Sequence, residues 1–284
     1  MDTATLAFLA APFAASLILT GIHTYLGVHV VERGVIFVDL SLAQIAALGA
    51  TIAILLPISG GDPHAPAVYW VSLGFTFVGA AVFSTIRGQR AGIPQEAIIG
   101  ISYVVASGAS ILALSKATSE SEHLRDMLVG NILAVSWPEV GTTAALYGAV
   151  GLFHFIFRAR FLAISMDRAA AEAGGISIRL WDFLFYASFG LVVTSSVSIV
   201  GVLLVFSYLI IPSVGAMLYS ESIGKRLAIG WTMGSLVSAA GVSLSLVLDL
   251  PTGATIVCTF GAALTLMAVA RPLFHRTGDA TDPS

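Results

Sequence analysis

Long apolar stretches, separated by charged residues, glycine or proline, cover most of this chain. Each stretch approaches the roughly 20 apolar residues that a helix needs to cross a bilayer. The pattern predicts an all-α polytopic membrane protein with one transmembrane domain at residues 1–276 and a polar inner tail at 277–284. Nine spans are expected, at residues 5–27, 35–57, 67–86, 95–115, 138–158, 181–196, 199–219, 226–248 and 252–270.

The sixth and seventh spans are the least clearly separated. Residues 183–219 contain no charged side chain. At about 1.5 Å per residue this run is too long for one span and barely long enough for two. One of the two helices is therefore expected to be short or re-entrant, and a bundle of eight spans is the alternative.

Composition and charge agree with a membrane protein. Hydrophobic residues make up 57% of the chain and charged residues 10%, whereas soluble domains carry about 25% charged residues. With nine spans and the N-terminus outside, eleven of the thirteen basic residues fall inside, and only Lys116 and Arg125 fall outside. This bias follows the positive-inside rule and predicts a C-terminus inside. The net charge of −3 gives no reason to expect a nucleic-acid partner.

Glycines recur in pairs within single predicted spans. Small residues in such pairs let two helices approach closely in lipid, so a packing role is expected for them. The pairs are Gly74/Gly79, Gly148/Gly151 and Gly230/Gly234.

Three polar residues lie inside the first two spans. Asp39 and Gln44 belong to the second span, and His23 lies at a depth in the first span comparable to that of Asp39. Because the two spans are antiparallel neighbours in sequence, His23 and Asp39 are expected to be able to meet. Carboxylate and imidazole groups are ligands for divalent metals, so the pair is either part of an ion path or a neutralising contact between helices.

The most acidic stretch lies in a predicted outer loop, at residues 119–126. Its side chains would attract a cation or a docking partner, or they form an ordinary solvated loop. The candidate residues are Glu120, Glu122, His123 and Asp126.

The longest predicted inner loop, residues 159–180, contains the signals of a short helix. Asp167 is a suitable N-cap, residues 168–173 are good helix formers, and Gly174 and Gly175 end the helix. An ordered helix of this kind on the inner face would suit a soluble partner, and a simple connector between spans is the alternative.

Motifs of catalysis and of ATP binding are not found in this sequence. It has no His-Glu-x-x-His pattern, no Gly-x-Ser-x-Gly pattern and no glycine-rich phosphate loop ending in Lys-Ser or Lys-Thr. We therefore expect no enzyme and no cofactor bound by this chain. A process driven by ATP would need a separate subunit to bind it.

Six segments, in this order and spacing, resemble the membrane permease of the zinc/manganese/iron class of bacterial ABC importers. The similarity runs from about Leu6 to Pro272. The segments are 33–39 with Gly49 downstream, 96–101, 128–136, 167–176, 200–212 and 249–253.

The resemblance implies a homodimeric permease of the bacterial cytoplasmic membrane that carries a divalent metal as its substrate. Two ATP-binding subunits would lie beneath it, and an extracytoplasmic metal-binding protein would deliver the ion. The segment containing Asp167, Arg168, Glu172, Gly174 and Gly175 would be the coupling helix that contacts the ATPase. ATP binding would then move this helix and expose the ion site alternately to each side.

One departure from the family pattern concerns the metal. Zinc and manganese members are expected to carry a histidine one helical turn after the aspartate, and Ala43 stands there by simple counting. If Gly49 is the anchor, Gln44 takes the place of the histidine. Asp39 and Gln44 are then about 140° apart on an ideal helix, and we predict a wide turn that brings them onto one face.

The glutamine also leaves alternatives open for the cargo. An amide oxygen is a poorer zinc ligand than imidazole and suits harder cations, so a permease for an iron-siderophore or another metal chelate is the second hypothesis. An intramembrane enzyme is a remote third. It requires paired catalytic groups at one depth, and only His23 and Asp39 qualify, without a nucleophile.

Overall fold

The computed structural model describes residues 3–56, 59, 62, 65–86, 94–114 and 132–275, without the side chains of 3–7, 114 and 272–275. Within these residues it contains eleven α-helices, one 3-10 helix at Ile132–Ala134 and no β-strand. The α-helices are α1 Thr3–Glu32, α2 Val38–Leu55, α3 Pro66–Ile86, α4 Gln95–Leu114, α5 Trp137–Ile156, α6 Arg158–Met166, α7 Arg168–Ala173, α8 Ile178–Val200, α9 Val202–Met217, α10 Ile223–Leu248 and α11 Thr252–His275.

Each of the nine predicted spans coincides with one of these helices. Seven of the described helices are long and apolar enough to cross a membrane by themselves. Helix α5 is long and apolar enough only together with α6, and the two helices are bent by 74° relative to each other. If this bent pair is one span, the described helices provide eight candidate spans. The class of polytopic helical membrane protein is therefore confirmed. The count of nine and the sides of the termini stay predictions.

The long uncharged run between the sixth and seventh spans is divided at Gly201. This residue has a φ of 78°, a left-handed conformation that glycine adopts without the steric cost of a Cβ. Helix α8 ends directly before it and α9 begins directly after it. Helix α9 has 16 residues, so the expectation of one short helix is confirmed.

Contacts between Cα atoms divide the chain into two compact units. The first unit consists of residues 1–28, 132–140 and 203–284, and the second of residues 29–131 and 141–202. Helix α1 therefore contributes residues to both. The single domain expected for residues 1–276 stays a prediction, and the predicted tail at 277–284 lies outside the described residues.

In the first unit, glycines allow close contact between helices. A Cβ on Gly230 or Gly234 of α10 would overlap the methyl groups of Thr24 and Thr20 on α1. This is the packing predicted for the pair. The other pairs differ, since a Cβ at Gly148, Gly151 or Gly74 would meet no atom of a neighbouring helix within 4 Å. A Cβ at Gly79, in the second unit, would lie 2.9 Å from the side chain of Ile45.

In the second unit, α2 packs against α3 and α4, and α3 packs against α8. Hydroxyl groups connect these helices within the apolar interior. The Ser72 hydroxyl donates to the carbonyl oxygen of Ala46 at 2.8 Å, and the hydroxyls of Thr76 and Thr194 lie 3.0 Å apart. Such bonds satisfy polar groups that water cannot reach, so they help to fix α2 and α8 against α3.

Candidate functional site

Asp39 lies in the first turn of α2 and is 1% exposed. Its Oδ1 accepts a hydrogen bond from the backbone N–H of Leu40 at 2.7 Å. The N-terminus of a helix carries a partial positive charge, which favours a carboxylate at this position. Asp39 is therefore an acidic group inside the second unit, held at the start of a helix.

A second carboxylate belongs to the same end of the second unit. Glu96, in the first turn of α4, accepts a hydrogen bond from the backbone N–H of Phe37 at 3.0 Å through its Oε1 atom. Phe37 directly precedes α2. The side chain of Glu96 thus connects the starts of α2 and α4. Its partner, Phe37, lies two residues before Asp39 in the sequence. From the sequence, Glu96 stands out only as the first residue of the family segment 96–101.

Gln44 is half-buried on α2, but it does not share a face with Asp39. The helix is continuous from Val38 to Leu55. Five residues of an α-helix correspond to a rotation of about 140°. The predicted wide turn between Asp39 and Gln44 is therefore wrong. No glycine or proline lies between them, so the local sequence supports regular helix geometry throughout.

His23 is completely buried in α1. Its Nδ1 donates to the carbonyl oxygen of Leu19 at 2.9 Å, so the lone pair of the neutral ring is on Nε2. His23 belongs to the first unit and Asp39 to the second. Their predicted meeting, and its two interpretations, stay predictions. No group of three or more His, Cys, Asp or Glu residues that could hold a metal occurs among the residues that the structure describes.

The predicted inner helix is present as α7, and its ends have the expected chemistry. Asp167 Oδ1 accepts a hydrogen bond from the N–H of Ala170 at 2.9 Å. At the other end, the N–H of Gly175 donates to the carbonyl of Glu172 at 3.0 Å, and Gly175 has a φ of 79°. The N–H of Ile176 donates to the carbonyl of Ala171 at 3.1 Å, which completes a Schellman motif.

Helix α7 exposes a face of small and charged side chains. Ala169, Ala170 and Glu172 are exposed, and Arg168 is half-buried, whereas Ala171 is buried. One side of α7 is thus fixed to the protein and the other is open. The role of this segment in binding a partner stays a prediction.

A buried ion pair in the second unit was missed by the sequence analysis. Arg33, which follows α1, places Nη1 2.7 Å from Oδ1 of Asp182 in α8, and both side chains are fully buried. The guanidinium Nε donates to the hydroxyl of Ser165 in α6 at 2.8 Å. The ring of Phe185 lies 3.9 Å below the guanidinium carbon, a cation–π contact. The sequence signal was Asp182, a charged residue inside a predicted span.

The same cluster contains histidines. His29 Nδ1 lies 2.8 Å from the Ser165 hydroxyl. His154 of α5 is buried, and its Nε2 lies 2.8 Å from the hydroxyl of Ser188. The imidazole of His154 stacks on the ring of Phe161, with centroids 4.3 Å apart. These contacts indicate a buried polar network that fixes α5, α6 and α8 near the end of α1.

The predicted outer-face residues, Glu120, Glu122, His123 and Asp126, lie outside the described residues. Their proposed role in attracting cations stays a prediction.

The profile of the ABC 3 transport family matches residues 5–271. The chain therefore belongs to the ABC 3 transport family. This finding agrees with the resemblance found in the sequence and defines the class of the protein as a transport permease, which is not an enzyme in itself.

Individual relatives share less than a third of their residues with this chain over the matched regions. The manganese transport system membrane protein MntC of Listeria innocua is 29% identical over 196 residues, which are 66% of this chain and 69% of the relative. A chain of PsaBC from Streptococcus pneumoniae, solved in complex with Fab, superposes with a TM-score of 0.75 at 23% identity. It covers 92% of this chain and 90% of its own length.

A second solved structure has a similar fold. It is described as a metal-chelate type ABC transporter in an inward-facing conformation. The TM-score is 0.71 at 17% identity, and the match covers 95% of this chain and 89% of the other. At these identities the two structures establish the fold that the chain shares with them, and they leave the cargo undefined.

Proposed function

We propose that this chain is the membrane permease of an ATP-driven importer of a divalent metal ion. Its membership of the ABC 3 transport family over residues 5–271 carries the proposal. The similarity to a relative named as a manganese transport protein supports a metal as cargo. Along the proposed route, oxygen donors from Asp39, from Glu96 and, on another face of α2, from Gln44 would suit manganese or iron(II) better than zinc, because harder cations prefer oxygen ligands.

The proposed route begins outside, where a metal-binding protein delivers the ion, and passes Asp39 on the way to the inner side. Asp39 is the buried acidic group that this route needs, because a charge inside a membrane bundle is costly unless it has a function or a partner. His23 would add an imidazole ligand to the route. The N-terminus lies outside and the C-terminus inside a bacterial cytoplasmic membrane in this proposal.

Energy would come from two ATP-binding subunits that contact α7. The exposed side of α7 carries Glu172 and three alanines, Ala169, Ala170 and Ala173, a narrow surface that fits a cleft. Two copies of the permease would form the complete pore. ATP binding would move α7 and change which side of the membrane the ion path opens to, as alternating access requires.

The test is metal uptake by cells that express the complete transporter with Asp39→Asn. Asparagine keeps the size of the side chain and the acceptor for the Leu40 N–H, but removes the charge. We expect uptake of manganese to fall roughly tenfold or more, because ligand charge largely sets the affinity for hard cations. The matched control is Glu221→Gln, which makes the same change at an exposed carboxylate. Normal uptake by Asp39→Asn would remove Asp39 from the route.

The chelate hypothesis is distinguished in the same cells. A chelate permease takes up labelled iron only when the chelator is present, and added free manganese does not compete with it. The proposed metal permease shows the opposite behaviour, with uptake of free manganese that chelators suppress.

A further inference from the structure

Arg33 contacts the chain on both sides of α7. Ser165 lies two residues before Asp167, the N-cap of α7, and Asp182 lies seven residues after Gly175, which belongs to the Schellman motif that follows α7. The guanidinium of Arg33 donates to Ser165 at 2.8 Å and to Asp182 at 2.7 Å. One side chain therefore contacts the chain both before and after α7.

The contacts require the shape of arginine. A guanidinium presents five N–H donors in a rigid plane, so that it can bind two acceptors in different directions while it stacks on an aromatic ring. Arg33 uses this geometry with Ser165, Asp182 and Phe185. A lysine ammonium would keep the charge but lose the planar fork.

Arg33 also connects these contacts to the end of α1. His29 and Arg33 are four residues apart, on one face of the chain at the end of α1. Both contact the Ser165 hydroxyl, at 2.8 Å each. The partial negative charge at the C-terminus of a helix also favours a cation at Arg33. The end of α1, the end of α6 and the second turn of α8, which contains Asp182, thus share one buried set of polar contacts.

Burial makes these contacts stiff. The side chains of Arg33 and Asp182 are both at 0% exposure, and the ring of Phe185 packs against the guanidinium. Charges in such a medium are weakly screened, and separation of the pair would leave an uncompensated buried charge. A displacement of α7 is therefore more easily accommodated by moving the attached helices than by breaking the pair.

We propose that Arg33, Ser165 and Asp182 form a clamp of positioning residues that transmits movement of α7 to the end of α1 and the start of α8. This inference rests on the proposed function, in which an ATP-binding subunit moves α7. It adds the path by which that movement enters the membrane-spanning helices. A brace that only stabilises the fold predicts a different result, because its loss would not change the ratio of transport to ATP hydrolysis.

The experiment uses the complete complex of permease and ATP-binding subunits in proteoliposomes, with manganese as the cargo. The first variant is Ser165→Ala, which removes one hydroxyl and leaves the ion pair in place. We expect a rise of roughly threefold to tenfold in ATP hydrolysed per ion transported, the size that the loss of the contacts of one hydroxyl with Arg33 and His29 permits. We expect the chain to stay folded with a modest loss of thermal stability, because buried partners of the hydroxyl are left unsatisfied, and binding of the ATP-binding subunit to stay unchanged.

The control is Ser110→Ala. Ser110 is 1% exposed, and its hydroxyl donates to Ala106 within α4 at 2.9 Å. This variant loses a buried hydroxyl in the same unit without touching the clamp, so its ratio should equal that of the unmodified chain. A second variant, Arg33→Lys, keeps the charge but not the fork, and should raise the ratio at least as much as Ser165→Ala. Arg33→Lys provides the test if Ser165→Ala does not fold.

The outcomes separate the clamp from the proposed function. Normal ratios for both clamp variants would overturn the clamp while the unmodified complex still transports manganese. A clamp variant that no longer binds the ATP-binding subunit would also overturn it, because the clamp transmits movement and does not form the docking surface. If the unmodified chain neither binds that subunit nor transports manganese, the proposed function is wrong, and the clamp loses its basis with it.

Discussion

At the scale of single residues, two buried aspartates have different surroundings. Asp182 lies 2.7 Å from the guanidinium of Arg33, so a basic side chain already neutralises it. Asp39 accepts a backbone hydrogen bond, and no lysine or arginine in the described part of the chain forms an ion pair with it. In the proposed route, a cationic cargo would therefore be attracted to Asp39 more than to Asp182, and this difference is why we propose different roles for the two residues.

Glu172 gives a prediction at the same scale. It is exposed on α7, so Glu172→Ala should change the stability of the permease by less than about 0.5 kcal/mol. If α7 contacts the ATP-binding subunit, the variant should reduce the amount of that subunit that copurifies by roughly fivefold to tenfold. The measurement is quantitative copurification at matched expression.

Glu221→Ala is the control for this variant, because Glu221 is another exposed carboxylate in a predicted inner loop. Equal copurification of the ATP-binding subunit by the two variants would contradict a docking role for Glu172.

Local chemistry explains which residues could be predicted from the sequence. The N-cap at Asp167 and the termination at Gly174 and Gly175 depend on neighbours within a few positions, and the structure confirms them. The Arg33–Asp182 pair joins residues 149 positions apart. Nothing in one sequence gives their separation in space, so the pair was found only from the fold.

At the scale of elements, the sequence predicts poorly where the apolar pattern is weak. It also predicts poorly where a family spacing is preferred to the helix propensity of the local residues. Helix α6 was included in the loop 159–180, because its two arginines interrupt the apolar pattern. The wide turn in α2 came from fitting the chain to a family spacing. The residues between Asp39 and Gln44 contain no helix breaker, and they form an ordinary helix.

Helix packing supplies a prediction at this scale, in the first unit. A Cβ at Gly27 of α1 would overlap the backbone carbonyl oxygen of Leu209 in α9, and backbone cannot move aside easily. We expect Gly27→Ala to destabilise the protein by about 1–3 kcal/mol, as overpacking does. Thermal unfolding in detergent measures the change.

Gly21→Ala is the matched control, because Gly21 lies on the same helix and a Cβ there meets no atom within 4 Å. It should leave the melting temperature unchanged or slightly raised, since alanine favours a helix over glycine. A lower melting temperature for Gly21→Ala than for Gly27→Ala would contradict the packing described for α1 and α9.

At the scale of the whole molecule, the class of protein could be predicted from composition and spacing alone. A chain with 57% hydrophobic and 10% charged residues has too little polar surface for a soluble fold. The number of crossings is a finer property. It depends on whether α9, with 16 residues, and the bent pair of α5 and α6 each cross the bilayer, and sequence length and hydropathy do not decide that.

The central claim is that this chain provides a route for a metal ion and depends on a separate subunit for energy. The most direct measurement is manganese transfer across proteoliposomes that contain the chain, with and without the ATP-binding subunits. The account predicts transfer only when those subunits and hydrolysable ATP are both present, and none with a non-hydrolysable analogue. Equal manganese transfer by the chain alone, without ATP, would contradict it.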